Sequence, residues 1–198
     1  MHHIHQTRAF VLASRNIGPA SKLLSLFTRE FGMIFASAQA LRSLGSKLRF
    51  HLQDYAEGHV SLVRGKNGWR ITGAESERQW CVIFKDQPER LQLTARTFLL
   101  LRQFLAGEER NENIYALLEA AFAFFRSASF TSQQLKSFEI LLVLRILSNL
   151  GYIGESENLG QFCKPREPLW NEELLSQMEM CQREALLHVN RALKESHL

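Results

Sequence analysis

The chain has 198 residues, of which 45% are hydrophobic and 22% charged, and its formal net charge is +4. This composition is typical of a globular protein, and the length suffices for one large domain or two small ones. No apolar run reaches the roughly 18–20 residues that a membrane-spanning helix needs, and the N-terminus lacks the basic segment and long apolar core of a secretory signal. We therefore expect a cytoplasmic protein with no membrane segment.

Charge is distributed unevenly along the chain. Residues 1–80 hold eleven Lys/Arg against five Asp/Glu, a net charge of +6, whereas the remainder holds 13 against 15, a net charge of −2. Between residues 8 and 49, seven basic residues meet a single acid, Glu30. A basic N-terminal part joined to a slightly acidic C-terminal part indicates two domains with different tasks.

The first eighty residues show the two-residue alternation that is typical of β-strands. Leu48, Phe50 and Leu52, for example, alternate with polar residues. The predicted strands are residues 7–15, 21–32, 33–40, 48–65 and 69–76. Five short strands without a long helix predict a small closed or nearly closed barrel.

After Pro88 the apolar residues recur at helical spacing. Pro88 suits the first turn of one helix, and a second helix follows it. Thr131 and Gln134 have the spacing of a capping box at the start of a third helix, which is apolar almost all round and ends at Gly151. A last amphipathic helix is predicted from about Asn171.

The change of period sets the predicted domain boundary between Arg78 and Pro88. We expect a nucleic-acid-binding β-domain in residues 1–80 and an all-α, partner-binding domain in residues 81–198. The fold class is therefore α+β with two domains.

No catalytic or cofactor-binding motif is present. The chain contains no phosphate-binding glycine loop, dinucleotide fingerprint, zinc-protease motif or nucleophile elbow. Its three cysteines, Cys81, Cys163 and Cys181, are too widely spaced for a standard zinc module or a disulfide framework. The carboxylates are scattered, with no pair placed for general acid–base chemistry. We predict a protein that is not an enzyme and binds no metal or cofactor.

The basic N-terminal part carries the remaining chemical signal. Arg42, Lys47 and Arg49 fall within eight positions that contain no acid. Charged residues on the exposed face of strands are often merely solvated, but small barrels commonly bind nucleic acid along a basic groove. Aromatic residues interleave with these cations; of them, we expect Phe31, Phe35 and Phe50 to belong to the core.

Several short motifs lie along the two predicted domains. They are Gly18, Ser21, Leu-Phe-Thr at 26–28, Gly32, Ser-Lys-Leu-Arg at 46–49, Leu-Gln at 52–53, Ile-Thr-Gly-Ala-Glu at 71–75 and Leu-Gly-Tyr at 150–152. In combination they resemble the N-terminal region and helical domain of the RecO family of bacterial recombination mediators. The resemblance covers most of residues 5–155.

The resemblance implies an OB-fold, a five-stranded β-barrel, followed by a helical domain. It also implies a non-catalytic DNA repair mediator of the bacterial nucleoid. Such a mediator binds single- and double-stranded DNA, anneals complementary strands and helps load RecA onto DNA coated by single-strand-binding protein. The implied protein partners are RecR and the acidic C-terminal tail of single-strand-binding protein.

The sequence departs from the family pattern at three places. Gln39 and Ala40 replace the usual Lys-Gly, and Asp54 replaces a proline. Where many members carry a four-cysteine zinc module after the Leu-Gly-Tyr motif, this chain has only Cys163, so no metal is carried over.

Five cations are our candidates for contacts with DNA phosphates. They are Lys22, Arg29, Arg42, Lys47 and Arg49. The alternative function is a protein-interaction adaptor whose basic surface binds acidic protein segments rather than DNA, and an RNA-binding barrel shares the same electrostatics. The sequence does not choose among the basic residues of the helical domain that would receive a tail peptide, namely Arg126, Lys136, Arg145 and Arg166.

Overall fold

A computed structural model describes residues 3–43, 45–105, 107–154, 158–163 and 170–196. The chain divides into two compact units, Met1–Glu112 and Asn113–Leu198. The first unit contains the β-barrel with one long helix, and the second is helical.

The first unit is built on five strands. They are β1 (Ile4–Ile17), β2 (Ser21–Thr28), β3 (Gly32–Ala38), β4 (Ala56–Gly65) and β5 (Gly68–Gln79). The strands close into a barrel in the order β1-β2-β3-β5-β4, with β4 pairing back onto β1. All neighbours are antiparallel except β3 and β5, which are parallel. This arrangement confirms the predicted OB-fold barrel.

Strand β1 is buried on both of its faces. Ala9 and Val11 point into the barrel core, while Phe10 and Leu12 point outward and are also buried. A helix, α3 (Pro88–Phe104), packs against the outer face of β1, and the rings of Phe10 and Phe98 lie 5.8 Å apart. Because this helix covers the barrel, it belongs to the first compact unit, and the two units divide later in the chain than the boundary expected from the change of period.

The prediction of a strand over residues 48–65 was wrong in its first part, residues 48–55. Leu48–His51 forms a single helical turn, α1, and β4 begins only at Ala56. The backbone N–H of Leu52 donates to the carbonyl of Leu48 at 3.0 Å, so these two apolar residues lie on the same side of a helical turn. Tyr55 then adopts a positive φ of 68°, which redirects the chain into β4. Alternation over six residues did not distinguish one helical turn from a strand.

The second unit is formed by helices. These are α4 (Glu112–Ser127), α5 (Ser132–Asn149), α6 (Gly160–Cys163) and α7 (Glu172–Glu195); short α2 (Trp80–Ile83) precedes α3 in the first unit. The predicted capping box is present: the N–H of Gln134 donates to Thr131 Oγ1 at 3.2 Å, and the N–H of Thr131 donates to Gln134 Oε1 at 2.9 Å. Gly151 ends α5 with a φ of +80°. Within the described part of the chain, no helix combines the length and the apolar character that crossing a bilayer requires.

Arg145 is a structural residue of α5. Its side chain is 1% exposed, its Nε donates to the carbonyl of Phe162 at 3.0 Å, and its guanidinium lies 4.6 Å from the centre of the Trp170 ring. Burial lowers the pKa of Arg145 to about 10, so the side chain remains charged at neutral pH. An external peptide therefore has no access to it. Among the other candidates for tail binding, Arg126 and Lys136 are exposed, and Arg166 lies outside the described residues.

Ala40 generates a prediction about stability. It has a φ of 52°, in the left-handed region that disfavours residues with a Cβ. The resemblance described above implies a glycine at this position. Ala40→Gly relieves this strain at some cost in chain entropy, so we expect the free energy of unfolding to rise by about 0.5–1 kcal/mol. Urea denaturation measures the change.

The matched control is Ala20→Gly in the neighbouring β1–β2 turn. Ala20 is outside the positive-φ region, and its carbonyl accepts the N–H of Arg42 at 2.9 Å. This control is expected to lose stability, since glycine adds entropy only to the unfolded chain. Equal losses in both variants would contradict the strain at Ala40.

Candidate nucleic-acid interface

The eleven cations of residues 1–80 fall into two groups in the structure. Four form ion pairs, namely Arg8, Arg29, Arg64 and Arg78. Seven form no ion pair with any described residue: Arg15, Lys22, Arg42, Lys47, Arg49, Lys66 and Arg70. The second group carries the charge that is available to an external anion.

The paired arginines on β1 and β5 are held by a buried carboxylate. Glu57 is 1% exposed and accepts hydrogen bonds from Arg8 at 3.2 Å and from Arg78 at 2.8 Å. Arg8 also donates to Glu77 at 2.8 Å. A buried carboxylate requires such charged partners, so these arginines serve the fold.

Three of the unpaired cations meet at one end of the barrel, around an open recess of about 480 Å³. We call this the basic recess; it is lined by Lys22, Leu41, Arg42, Arg49, Leu52, Gln53 and Asp54. Lys22 is the second residue of β2 and donates to Ser14 Oγ at 3.1 Å. Arg42 lies in the turn after β3, where its backbone N–H donates to the carbonyl of Ala20 in the β1–β2 connection. Arg49 lies on α1. Three separate segments thus contribute one charge each.

Asp54 is the acid in the basic recess. Its Oδ1 is buried and has no hydrogen-bond partner in the described structure. Burial, reinforced by the charge of Asp54, raises the pKa of the adjacent Tyr55. One carboxylate among three cations leaves the recess suited to an anion. Across the described residues, no group of three or more His, Cys, Asp or Glu side chains is arranged to hold a metal ion.

The other two predicted cations lie outside the basic recess. Lys47 is exposed on the segment that leads into α1, close in sequence to Arg49. Arg29 follows the opposite end of the eight-residue strand β2, about 20 Å from Lys22 at ordinary strand rise, and pairs with Glu112 at 3.3 Å. The structure therefore brings together Lys22, Arg42 and Arg49, and separates Arg29 from them. A role in DNA binding stays a prediction for all five.

A second basic surface was missed in the sequence. A groove of about 290 Å³ lies beside the β4–β5 hairpin, and we call it the hairpin groove; its lining includes Ser37, Gln39, Lys66, Asn67, Gly68 and Arg70. Lys22 of the basic recess pairs in register with Ala38, which faces the barrel core, while Ser37 on the same strand faces outward into the groove, so the two surfaces lie on different faces of the sheet. Two features of the sequence could have revealed this groove. They are the turn sequence at 65–68 and the position of Arg70 between the inward-facing Trp69 and Ile71.

The prediction that Phe35 and Phe50 belong to the core was wrong. Phe35 is 59% exposed and Phe50 is 65% exposed, whereas Phe31 is half-buried and packs against the barrel core. On β3 the inward positions belong to Ile34 and Ala36, which leaves Phe35 on the outer face. Apolar character was a poor guide, because the register of β3 decides the exposure of Phe35 and because Phe50 lies on the helical turn α1 rather than in a strand.

The comparison with known proteins decides the family. The model of the family described as "Recombination protein O N terminal" matches residues 1–80, which contain all five strands of the barrel. Residues 1–80 therefore form a domain of the RecO N-terminal family. The resemblance drawn from the short motifs is thereby confirmed.

Curated RecO proteins from several bacteria match a longer stretch of the chain. A DNA repair protein RecO from Dehalococcoides mccartyi is 31% identical over 153 residues, covering 76% of this chain and 57% of that protein. A DNA repair protein RecO from Chlorobium limicola is 29% identical over 153 residues, covering 75% and 56%. One from Heliobacterium modesticaldum is 35% identical over 83 residues, covering 42% and 30%. The matched region thus spans little more than half the length of the first two relatives and less than a third of the last.

The Glu57 network yields a prediction for this site. Glu57→Gln removes the buried charge that neutralises Arg8 and Arg78 while preserving the shape of the side chain. We expect a loss of about 2–3 kcal/mol in the free energy of unfolding, since both arginines keep partial access to water. Thermal and urea denaturation measure the loss.

Glu75→Gln, at an exposed position on the same β5 strand that carries Arg78, is the control. It is expected to change stability by less than about 0.5 kcal/mol. A Glu57→Gln protein as stable as this control would show that the two arginines do not depend on the carboxylate.

Proposed function

We propose that this RecO-family chain acts in DNA repair as a non-catalytic mediator that binds single- and double-stranded DNA through the basic recess and the hairpin groove. The observation that supports it most strongly is a set of seven cations, on a barrel of OB-fold type, that form no ion pair with any described residue. Cations that no carboxylate neutralises retain their attraction for external phosphates. The curated relatives are named as DNA repair proteins, which supports the same role.

The chemistry of the surface favours binding without regard to sequence. Lysine and arginine side chains contact phosphate oxygens, which are identical at every nucleotide and carry no sequence information. Lys22, Arg42 and Arg49 border one recess, and each can neutralise one phosphate of a strand that crosses it. A repair mediator must act on any damaged stretch of DNA, and such contacts suit that requirement.

Strand annealing follows from the same electrostatics. Two complementary strands repel each other until a basic surface neutralises part of their charge, after which base pairing supplies the free energy. No bond is made or broken, so neither a catalytic residue nor a cofactor is needed. We extend the proposal to helping load RecA onto DNA coated by single-strand-binding protein. The helical residues within 81–198 would then bind RecR and the acidic tail of single-strand-binding protein.

The triple variant Arg42→Ala/Lys47→Ala/Arg49→Ala tests the proposal. Each lost phosphate contact removes about 0.7 from the log–log slope of affinity against salt for single strands and about 0.9 for duplex DNA. We expect the slope to fall by about 2 for single strands and by nearly 3 for duplexes if all three cations contact phosphates. Fluorescence anisotropy with labelled random-sequence oligonucleotides measures it.

A second triple variant controls for the change in net charge. Lys85→Ala/Arg126→Ala/Arg183→Ala removes three exposed cations that lie outside the barrel strands. It is expected to leave the slope nearly unchanged. If the two triple variants behaved alike, the assignment of the basic recess would be wrong. Binding to an acidic peptide without binding to DNA would instead favour the adaptor.

Asp54 supplies a gain-of-affinity test. The Asp54→Asn variant removes a negative charge from the basic recess, and with it the repulsion of an incoming phosphate. We expect DNA to bind about two- to fivefold more tightly at low salt, corresponding to roughly 0.5–1 kcal/mol, with the gain shrinking as salt rises. The comparison is with Asp86→Asn, an exposed position outside the barrel strands. Unchanged affinity in Asp54→Asn would place the DNA away from the recess.

A further inference from the structure

Phe35 is an exposed aromatic residue in the middle of a barrel strand. It points outward from β3 and is 59% exposed. Its cross-strand neighbour on β2 is Ser25. On the other side, β3 and β5 run parallel and Ala36 pairs with Trp69, so the β5 residue level with Phe35 is Gly68, the first of that strand. A side chain built on Gly68 would meet nothing within 4 Å. Small neighbours on both sides leave the face of the ring open.

Other phenylalanines on the outer face of the barrel are covered. Phe10 on β1 and Phe27 on β2 point outward as Phe35 does, yet each is 0% exposed. A single exposed apolar residue is ordinary on a protein surface. What distinguishes Phe35 is its place on the strand that provides Ser37 to the hairpin groove and leads directly into Gln39.

The hairpin groove carries two cations further along the sheet from this ring. Ser37 lies two residues from Phe35 on the same face of β3, about 7 Å along the strand, and pairs in register with Arg70. Lys66 lies in the turn that precedes Gly68. Neither cation forms an ion pair with a described residue. An open aromatic face beside unpaired cations is the combination that binds a single strand, with bases on the ring and phosphates on the charges.

We propose that Phe35 is a stacking platform for unpaired bases and that the hairpin groove is a subsite selective for single-stranded nucleic acid. This inference rests on the proposed function and divides its surface into two parts. The basic recess attracts phosphates of either form of DNA. Phe35 recognises only bases that are free to leave their own stack, because the bases of a duplex are stacked on one another and present edges rather than faces.

Variants at Phe35 separate stacking from simple hydrophobic contact. Phe35→Ala removes the ring, Phe35→Leu keeps apolar volume without an aromatic face, and Phe35→Trp keeps the face. We expect Phe35→Ala and Phe35→Leu to bind a labelled single-stranded oligonucleotide about 5- to 140-fold more weakly, the range for one stacked base, while Phe35→Trp binds as well as the unaltered protein. Leu99→Ala, at an exposed apolar position on α3, is the matched control and is expected to have no effect.

Two further probes make the test specific. Duplex DNA of the same sequence is expected to bind all variants equally, and the salt dependence is expected to be unchanged because Phe35 carries no charge. An abasic oligonucleotide, which has the phosphates without the bases, is expected to bind the unaltered protein and Phe35→Ala equally.

Three results would overturn the inference. They are an undiminished affinity of Phe35→Ala for single strands, an equal loss for single strands and duplexes, and a Phe35→Leu protein that binds like the unaltered one. If the salt dependence still responds to the Arg42, Lys47 and Arg49 variant, the proposed function survives and only the stacking subsite is lost. If the unaltered protein binds neither form of DNA, both fail together.

Discussion

Strand β1 is buried on both faces, by the closed barrel on one side and by α3 on the other, and the remaining architecture of the first unit depends on this constraint. Ala9 and Val11 fill the interior while Phe10 and Leu12 need a cover on the outside, which α3 supplies. Charged side chains therefore have room only at strand ends, at turns and on uncovered outer faces. The cations of the basic recess lie at such positions, at the start of β2, in the turn after β3 and on α1.

The same kind of side chain has two different roles in this barrel, and burial of its partner decides between them. Glu57 is removed from water and holds Arg8 and Arg78 in short ion pairs. Arg42 and Arg49 form no ion pair with a described residue, so their charges are available to solvent and to external anions. In the proposed mediator, the first group maintains the fold and the second attracts DNA, which explains how a modest net charge can support nucleic-acid binding.

Alternation of apolar residues predicted the barrel strands well where one face meets the core over a long stretch. It failed at residues 48–55, where Leu48 and Leu52 satisfy a helical turn as well as a strand. It also gave the wrong exposure for Phe35, because register relative to the barrel, rather than hydrophobicity, sets the direction of that side chain. The hairpin groove was missed for a related reason: Arg70 and Ser37 are far apart in sequence and meet only through the parallel pairing of β3 with β5.

The most direct test of the account is the salt dependence of DNA binding by the unaltered protein. Labelled single-stranded and duplex oligonucleotides of several unrelated sequences would be titrated between low and physiological salt. The account predicts affinities that differ little among sequences and a log–log slope of about −3 to −6, as expected when roughly four to seven phosphates are neutralised. A slope shallower than about −1, or no binding at low salt, would contradict the claim that the unpaired cations form a DNA-binding surface.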